Sequence, residues 1–128
     1  MTLLPPFADF RPSHSELIRM GLTPANTLMT RGPKFTSSQL MLTYSKRAQP
    51  GDNPVYRGLL DQNRVDRHEQ YEALHFINNW CAIVGCSAVV DGNKIESALR
   101  FAPTSMVDRN DLQWQIWNTL KARTTLLA

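Results

Sequence analysis

The feature that most constrains the fold of this chain is an apolar run over residues 80–90 that leads directly into Asp91 and Gly92. An Asp-Gly pair between two apolar-patterned runs is the strongest short-range signal of a tight β-hairpin, because both turn positions require positive φ. The residues that follow Gly92 alternate apolar and charged side chains, as a half-buried strand does. The sequence therefore predicts a hairpin of two strands, 81–90 and 94–101.

A third strand and a long helix are predicted upstream of this hairpin. Apolar and polar side chains alternate over residues 39–45, which is the period of a half-buried strand. Within residues 59–79 the apolar side chains recur at helical spacing, which predicts the main helix of the chain. Residues 47–54 contain two prolines and one glycine and are expected to form a polar loop between the two elements.

Capping residues predict short helices near the N-terminus. Ser13 and Glu16 match a capping box, in which the serine side chain binds a helix N–H and the glutamate binds the cap in return. This pattern predicts a helix over residues 14–20, ended by Gly21. Pro24 follows a threonine and is typical of a first helical position, so a second short helix is expected to begin there.

The last predicted helix carries a tryptophan outside its apolar face. Ser105 and Asp108 match another capping box, which opens a helix over residues 108–123. The apolar side chains of this helix fall on one face, and Trp114 points away from it. Two interpretations remain for the indole. It packs under a loop or the N-terminal arm, or it is an anchor for a protein partner, since tryptophan is enriched at contact hot spots.

Taken in order, these elements indicate an α+β fold. The simplest arrangement is an antiparallel sheet of about three strands, including the 81–90/94–101 hairpin, with helices packed on one face. Residues 1–128 have the length of one ordinary globular domain, with a short irregular N-terminal arm over residues 1–12.

The two cysteines point to a reducing compartment. Cys81 and Cys86 are too few for a disulfide scaffold. Their odd spacing in a predicted strand places them on opposite faces, where they can neither bridge one another nor share a metal. Residues 1–10 lack the basic start of a secretion signal, and no apolar run is long enough to cross a bilayer. We expect a cytoplasmic protein with buried free thiols, no cofactor, no metal and no membrane contact.

Charge is concentrated in the middle of the chain. The whole sequence has 14 Lys and Arg against 11 Asp and Glu, a net charge of +3. On the predicted helix over residues 59–79, four polar and aromatic side chains fall opposite the apolar face. We call this set the 64–75 stripe, and it consists of Arg64, His68, Tyr71 and His75.

Two interpretations of the 64–75 stripe stay open. One is an ordinary solvated face. The other is a surface for phosphates and bases, to which Arg and His bring charge and Tyr a stacking ring. A metal site is disfavoured, because His68 and His75 would lie about 10 Å apart along a helix. The predicted nucleic-acid contacts are Lys46, Arg47, Arg64, Arg67, His68, Tyr71 and His75.

These observations favour a small non-enzymatic binding protein that contacts nucleic acid through its basic central region. The alternative is a protein-binding adaptor or inhibitor module that uses exposed aromatic residues, with Trp114 as its anchor. The sequence contains no Gly-x-Ser-x-Gly motif and no glycine-rich phosphate loop, so no catalytic residue is assigned. Catalysis by residues that are scattered along the chain stays open.

Overall fold

A computed structural model describes residues 4–25, 34–45 and 64–127, the side chains of residues 124–127 excepted. Four α-helices and two short 3-10 turns make up its regular structure: the turn Phe7–Asp9, α1 His14–Arg19, the turn Ser37–Gln39, α2 Gln70–Val84, α3 Ala88–Arg100 and α4 Arg109–Leu127. Over these ranges the only β pairing is in isolated bridges. The predicted α+β fold with a three-stranded antiparallel sheet is therefore wrong.

The helix α2 continues through the first part of the predicted strand 81–90. Its buried side chains include Phe76, Ile77, Trp80 and Val84, whose spacing is helical. Gly85 then ends the helix with a φ of 84°, a left-handed conformation that glycine adopts without strain. A short apolar run does not by itself distinguish a buried strand from a buried helix. Here the helical spacing of the preceding residues continues across it.

The Asp-Gly pair lies inside α3 and not in a hairpin turn, so the strand 94–101 is also wrong. Ser87 caps the helix by accepting a hydrogen bond from the Val90 N–H. Asp91 then occupies the first turn, where a negative charge is favourable. Gly92 is required for another reason: a Cβ at this position would lie 2.6 Å from Cγ of Phe35. Close packing, and not positive φ, explains this glycine.

The predicted strand 39–45 is also absent. Ser37–Gln39 is a 3-10 turn with a capping box at its start, and the residues after it run alongside α3. Ser45 exchanges backbone hydrogen bonds with His68 and Gln70. The backbone of residues 39–43 instead bonds to three side chains of α3: Asn93, Glu96 and Arg100. These side chains replace the neighbouring strand that the alternating pattern implied. The predicted loop 47–54 lies outside the described residues.

Residues near the N-terminus behave partly as predicted. α1 and its serine cap are confirmed, with the Ser13 hydroxyl accepting from the Glu16 N–H at 3.2 Å. This bond is one half of the predicted capping box. Pro24 does not begin a helix. It forms an antiparallel bridge with Cys86, and the N–H of Ala25 donates to the carbonyl of Gly85. The remainder of the predicted second helix, residues 26–30, lies outside the described ranges.

The core lies between the three long helices, with α3 packed on α2 and, less extensively, on α4. Over residues 4–12 the N-terminal arm is irregular except for its 3-10 turn, and it contributes Phe7, which is fully buried. α4 begins within one residue of the predicted position, but the predicted capping box of Ser105 and Asp108 is wrong. Asp108 is itself the cap and accepts from the Asp111 N–H at 3.1 Å. None of the helices in the described ranges has the length and apolar character that a membrane crossing requires.

Candidate nucleic-acid interface

The 64–75 stripe does not lie on one helix. α2 begins at Gln70, so only Tyr71 and His75 have the helical relationship that the sequence predicted. Arg64 and His68 precede the helix and are exposed on an irregular segment. Two further predicted contacts, Lys46 and Arg47, lie outside the described residues.

Arg67 is buried, with 5% of its surface exposed. Its guanidinium donates to the carbonyls of Ala102, Pro103 and Met106, which belong to the connection between α3 and α4. Burial, and after it the positive charge of Arg100, lowers the pKa of Arg67. These contacts use the planar fork of the guanidinium inside the protein. Arg67 therefore stabilises the connection between α3 and α4, and it is not included in the candidate interface.

Tyr71 and His75 form an aromatic pair one turn apart on α2. Their ring centroids are 6.4 Å apart and the planes differ by 22°. Partial desolvation lowers the pKa of His75, and the positive charges of Arg109 and then Lys34 lower it further. The charges of two residues from distant parts of the chain therefore act on His75.

Lys34 and Arg109 join the candidate surface only through the fold. Lys34 precedes the buried Phe35, whose N–H donates to the Asn78 side chain on α2 at 2.9 Å. Arg109 opens α4, where burial lowers its pKa and the charges of Glu72 and Asp108 act in the opposite direction. No local sequence pattern connects residues so far apart in the chain, so sequence reasoning missed Arg109.

A pocket with a volume of about 460 Å³ lies beside this surface. It is lined by Arg64, Val65, Asp66, Arg67, His68, Glu72, Thr104 and Val107. A backbone hydrogen bond of 2.9 Å from Val65 to Val107 and a bridge between Arg64 and Asp108 join its two sides. We call this cavity the 64–72 pocket.

Two carboxylates organise the backbone around the 64–72 pocket. Glu72 accepts from the Asp66 N–H at 3.2 Å, and Asp66 accepts from the His68 N–H at 3.0 Å. Asp66 and Glu72 therefore introduce negative charge next to the exposed Arg64 and His68. Among the described residues, no group of three or more His, Cys, Asp or Glu side chains is arranged to hold a metal ion.

Trp114 packs against the N-terminal arm. Its indole N–H donates to the carbonyl of Pro5 at 2.8 Å, and its ring lies 4.9 Å from both Phe7 and Phe10. The interpretation that the indole packs under the arm is confirmed. These contacts give no support to Trp114 as a partner-binding anchor.

The two cysteines are buried and free, as predicted. Their placement on opposite faces of a strand is wrong, because Cys81 lies in the last turn of α2 and Cys86 just beyond its end. The Cys86 N–H donates to the Cys81 carbonyl at 3.0 Å. A hydrogen bond with the Cys81 thiol, together with burial, raises the pKa of Cys86. The thiols are therefore neighbours.

Comparison with protein families, curated proteins and solved structures gives no match to this chain. The chemical character of the candidate interface is therefore judged from its own residues alone.

Proposed function

We propose that the protein binds nucleic acid through one basic and aromatic surface. This surface, which we call the α2 face, consists of Lys34, Arg64, His68, Tyr71, His75 and Arg109. The observation that carries the proposal is that the charges of Lys34 and Arg109 both act on His75, whose ring stacks with that of Tyr71. Positive charge and an aromatic pair of α2 thus interact.

The residue types of the α2 face match the two contacts that nucleic acid offers. Lysine and arginine bind phosphate, which supplies much of the affinity of such complexes. Tyrosine and histidine rings stack on unpaired bases, and stacking tolerates different base sequences. The net charge of +3 favours the approach of a polyanion.

Acidic residues limit the strength of this interaction. Glu72 and Asp108 both act on Arg109 and offset part of its charge. Asp66 adds another negative charge beside Arg64 in the 64–72 pocket. We therefore expect few phosphate contacts, moderate affinity and a clear loss of binding with added salt.

The test is a titration of oligonucleotides across a salt series. We expect the double substitution Lys34→Ala with Arg64→Ala to weaken binding and to make the salt slope shallower by about two units, one for each lost phosphate contact. Arg19→Ala with Arg123→Ala is the matched control, because both arginines are exposed and the change in net charge is the same. Equal effects of the two pairs, or no binding by the wild type at low salt, would reject the proposal.

A second candidate function is protein binding through α3. Val90 and Phe101 are 60% and 73% exposed, and Lys94 and Ser97 lie between them at helical spacing. Exposed aromatic side chains favour protein contacts. Such an interface depends less on salt than phosphate contacts do, so the same salt series separates the two functions. For either function we propose a reducing, cytoplasmic location, where two free thiols persist.

A further inference from the structure

The 64–72 pocket combines acidic and basic side chains in its lining. Asp66 and Glu72 line it together with the exposed Arg64 and His68. Arg67 also lines the pocket, but its guanidinium donates to three backbone carbonyls. A group that offers hydrogen-bond donors to the carboxylates and acceptors to the basic side chains therefore suits this lining.

The size and the apolar part of the lining suit a flat ring. The volume of about 460 Å³ lies within the range of about 300–1,000 Å³ that is common for small-molecule sites. Val65 and Val107 provide apolar contact, and Thr104 adds a hydroxyl that can donate or accept. A nucleobase combines a flat, largely apolar face with a polar edge.

We propose that the 64–72 pocket receives one unpaired nucleobase that carries an exocyclic amino group, so that the protein prefers single-stranded nucleic acid. This inference rests on the proposed function. The amino groups of cytosine, adenine and guanine are donors that aspartate and glutamate accept, whereas thymine and uracil have none. A carboxylate can accept up to about four hydrogen bonds, so one that already has partners in the protein can still accept from such a donor.

Two exposed side chains of the pocket lining suit the phosphates on either side of the inserted base. Arg64 and His68 are exposed and line the same cavity, so their side chains can contact the backbone while the base enters. In a duplex the base is stacked and paired and must first be extracted, which costs free energy. The single strand avoids this cost.

The experiment compares oligo-dC with oligo-dT of equal length at mildly alkaline pH, where cytosine stays neutral. These two pyrimidines differ at the edge that the carboxylates would bind. We expect the wild type to bind oligo-dC about tenfold more tightly than oligo-dT, and more tightly than a duplex of the same length.

A pocket-filling variant connects this preference to the cavity. Thr104→Met places a longer apolar side chain in the pocket lining, and Ser105→Met makes a similar change at an exposed neighbour outside the lining. We expect the first to lose the preference for dC and the second to keep it, with thermal unfolding recorded for both. Equal binding of dC and dT by the wild type would overturn this inference and leave the proposed function standing. Absence of binding to either at low salt would overturn both.

Discussion

The hydroxyl of Tyr44 donates a 2.7 Å hydrogen bond to the carboxylate of Glu96, which is 1% exposed. The same carboxylate accepts from the backbone N–H groups of Met41 and Leu42 and from the side chain of Asn93. One buried charge on α3 therefore supports the segment that precedes residue 46. A carboxylate is suited to this position because it only accepts, and each neighbour donates.

We expect Glu96→Gln to destabilise the protein by about 2–4 kcal/mol, because the amide NH₂ would face groups that also donate. Tyr44→Phe is the matched comparison, since it removes one donor and leaves the carboxylate, and its cost should be about 1 kcal/mol. Urea unfolding of the three proteins measures both values. A Gln variant as stable as the wild type would contradict the role of Glu96.

The pH dependence of stability should carry the signature of Glu96. Burial alone would raise its pKa, but the hydrogen bonds from Tyr44, Met41, Asn93 and Leu42 outweigh burial and lower it. A folded pKa below the unfolded value contributes stability above the unfolded pKa, and this contribution is lost as the pH falls through the folded pKa. The stability difference between wild type and Glu96→Gln should therefore shrink in acid. A difference that stays constant down to the acid limb would argue against this linkage.

The pH dependence that Asp91 contributes to the stability of the protein should have the opposite sign to that of Glu96. Asp91 is fully buried, and burial raises its pKa although the Thr23 N–H and Lys94 counteract part of the shift. A carboxyl with a raised folded pKa binds more protons in the folded state, so its contribution improves as the pH falls towards that pKa. The stability of Asp91→Asn relative to wild type should thus be highest near neutral pH and decline as the wild-type group becomes protonated. Thermal unfolding at several pH values measures this trend.

The close approach of Gly92 to Phe35 predicts a coupling between these two residues. Gly92→Ala should destabilise the protein by about 1–3 kcal/mol through overlap with the ring, although alanine is the better helix former by about 1 kcal/mol. Combining it with Phe35→Leu should cost less than the sum of the two single changes. Strict additivity in denaturant unfolding would contradict the contact.

Local sequence patterns correctly predict α1 and α4, which lie near the two ends of the chain. They wrongly predict strands between these helices. Ser13 caps α1 through a contact with a residue three positions away, so the pattern is complete in the sequence. Glycine is required at position 92 because Phe35 packs against it. Since Phe35 is distant in the chain, the local sequence does not show this reason, and Asp91 and Gly92 resemble a turn. Residues 39–45 alternate like a strand, but the backbone of residues 39–43 bonds to side chains of α3, and Ser45 pairs with the backbone of His68 and Gln70. Tertiary contacts of this kind override local periodicity.

The candidate site could likewise be predicted from local sequence patterns only in part. Tyr71 and His75 are one helical turn apart, and this spacing predicted their common face. Arg67 matches the predicted basic cluster in composition, yet its three carbonyl partners lie beyond residue 101. Arg109 acts on His75 only through the fold, since the two residues are far apart in the chain.

The two thiols should react slowly in the native protein. Cys81 and Cys86 are 1% and 4% exposed, and the pKa of Cys86 is raised by its hydrogen bond with Cys81 and by burial. Since the thiolate is the reactive species, labelling requires opening of the structure. The labelling rate should rise with urea in parallel with unfolding. Rapid labelling of both thiols without denaturant would contradict their burial.

Substitutions at Arg67 and Arg64 should distinguish an effect on stability from an effect on oligonucleotide binding. Arg67→Lys keeps the charge but replaces a fork that reaches three carbonyls with a single amine, so we expect a loss of about 2–4 kcal/mol in stability. Arg64 is exposed, and Arg64→Ala should change stability by less than about 0.5 kcal/mol. Oligonucleotide affinity should follow the reverse order, with Arg64→Ala weakening binding and Arg67→Lys binding normally under conditions where it is folded. Thermal unfolding and a binding titration on the same samples give both readouts. A stable Arg67→Lys protein that binds poorly would instead place Arg67 in the interface.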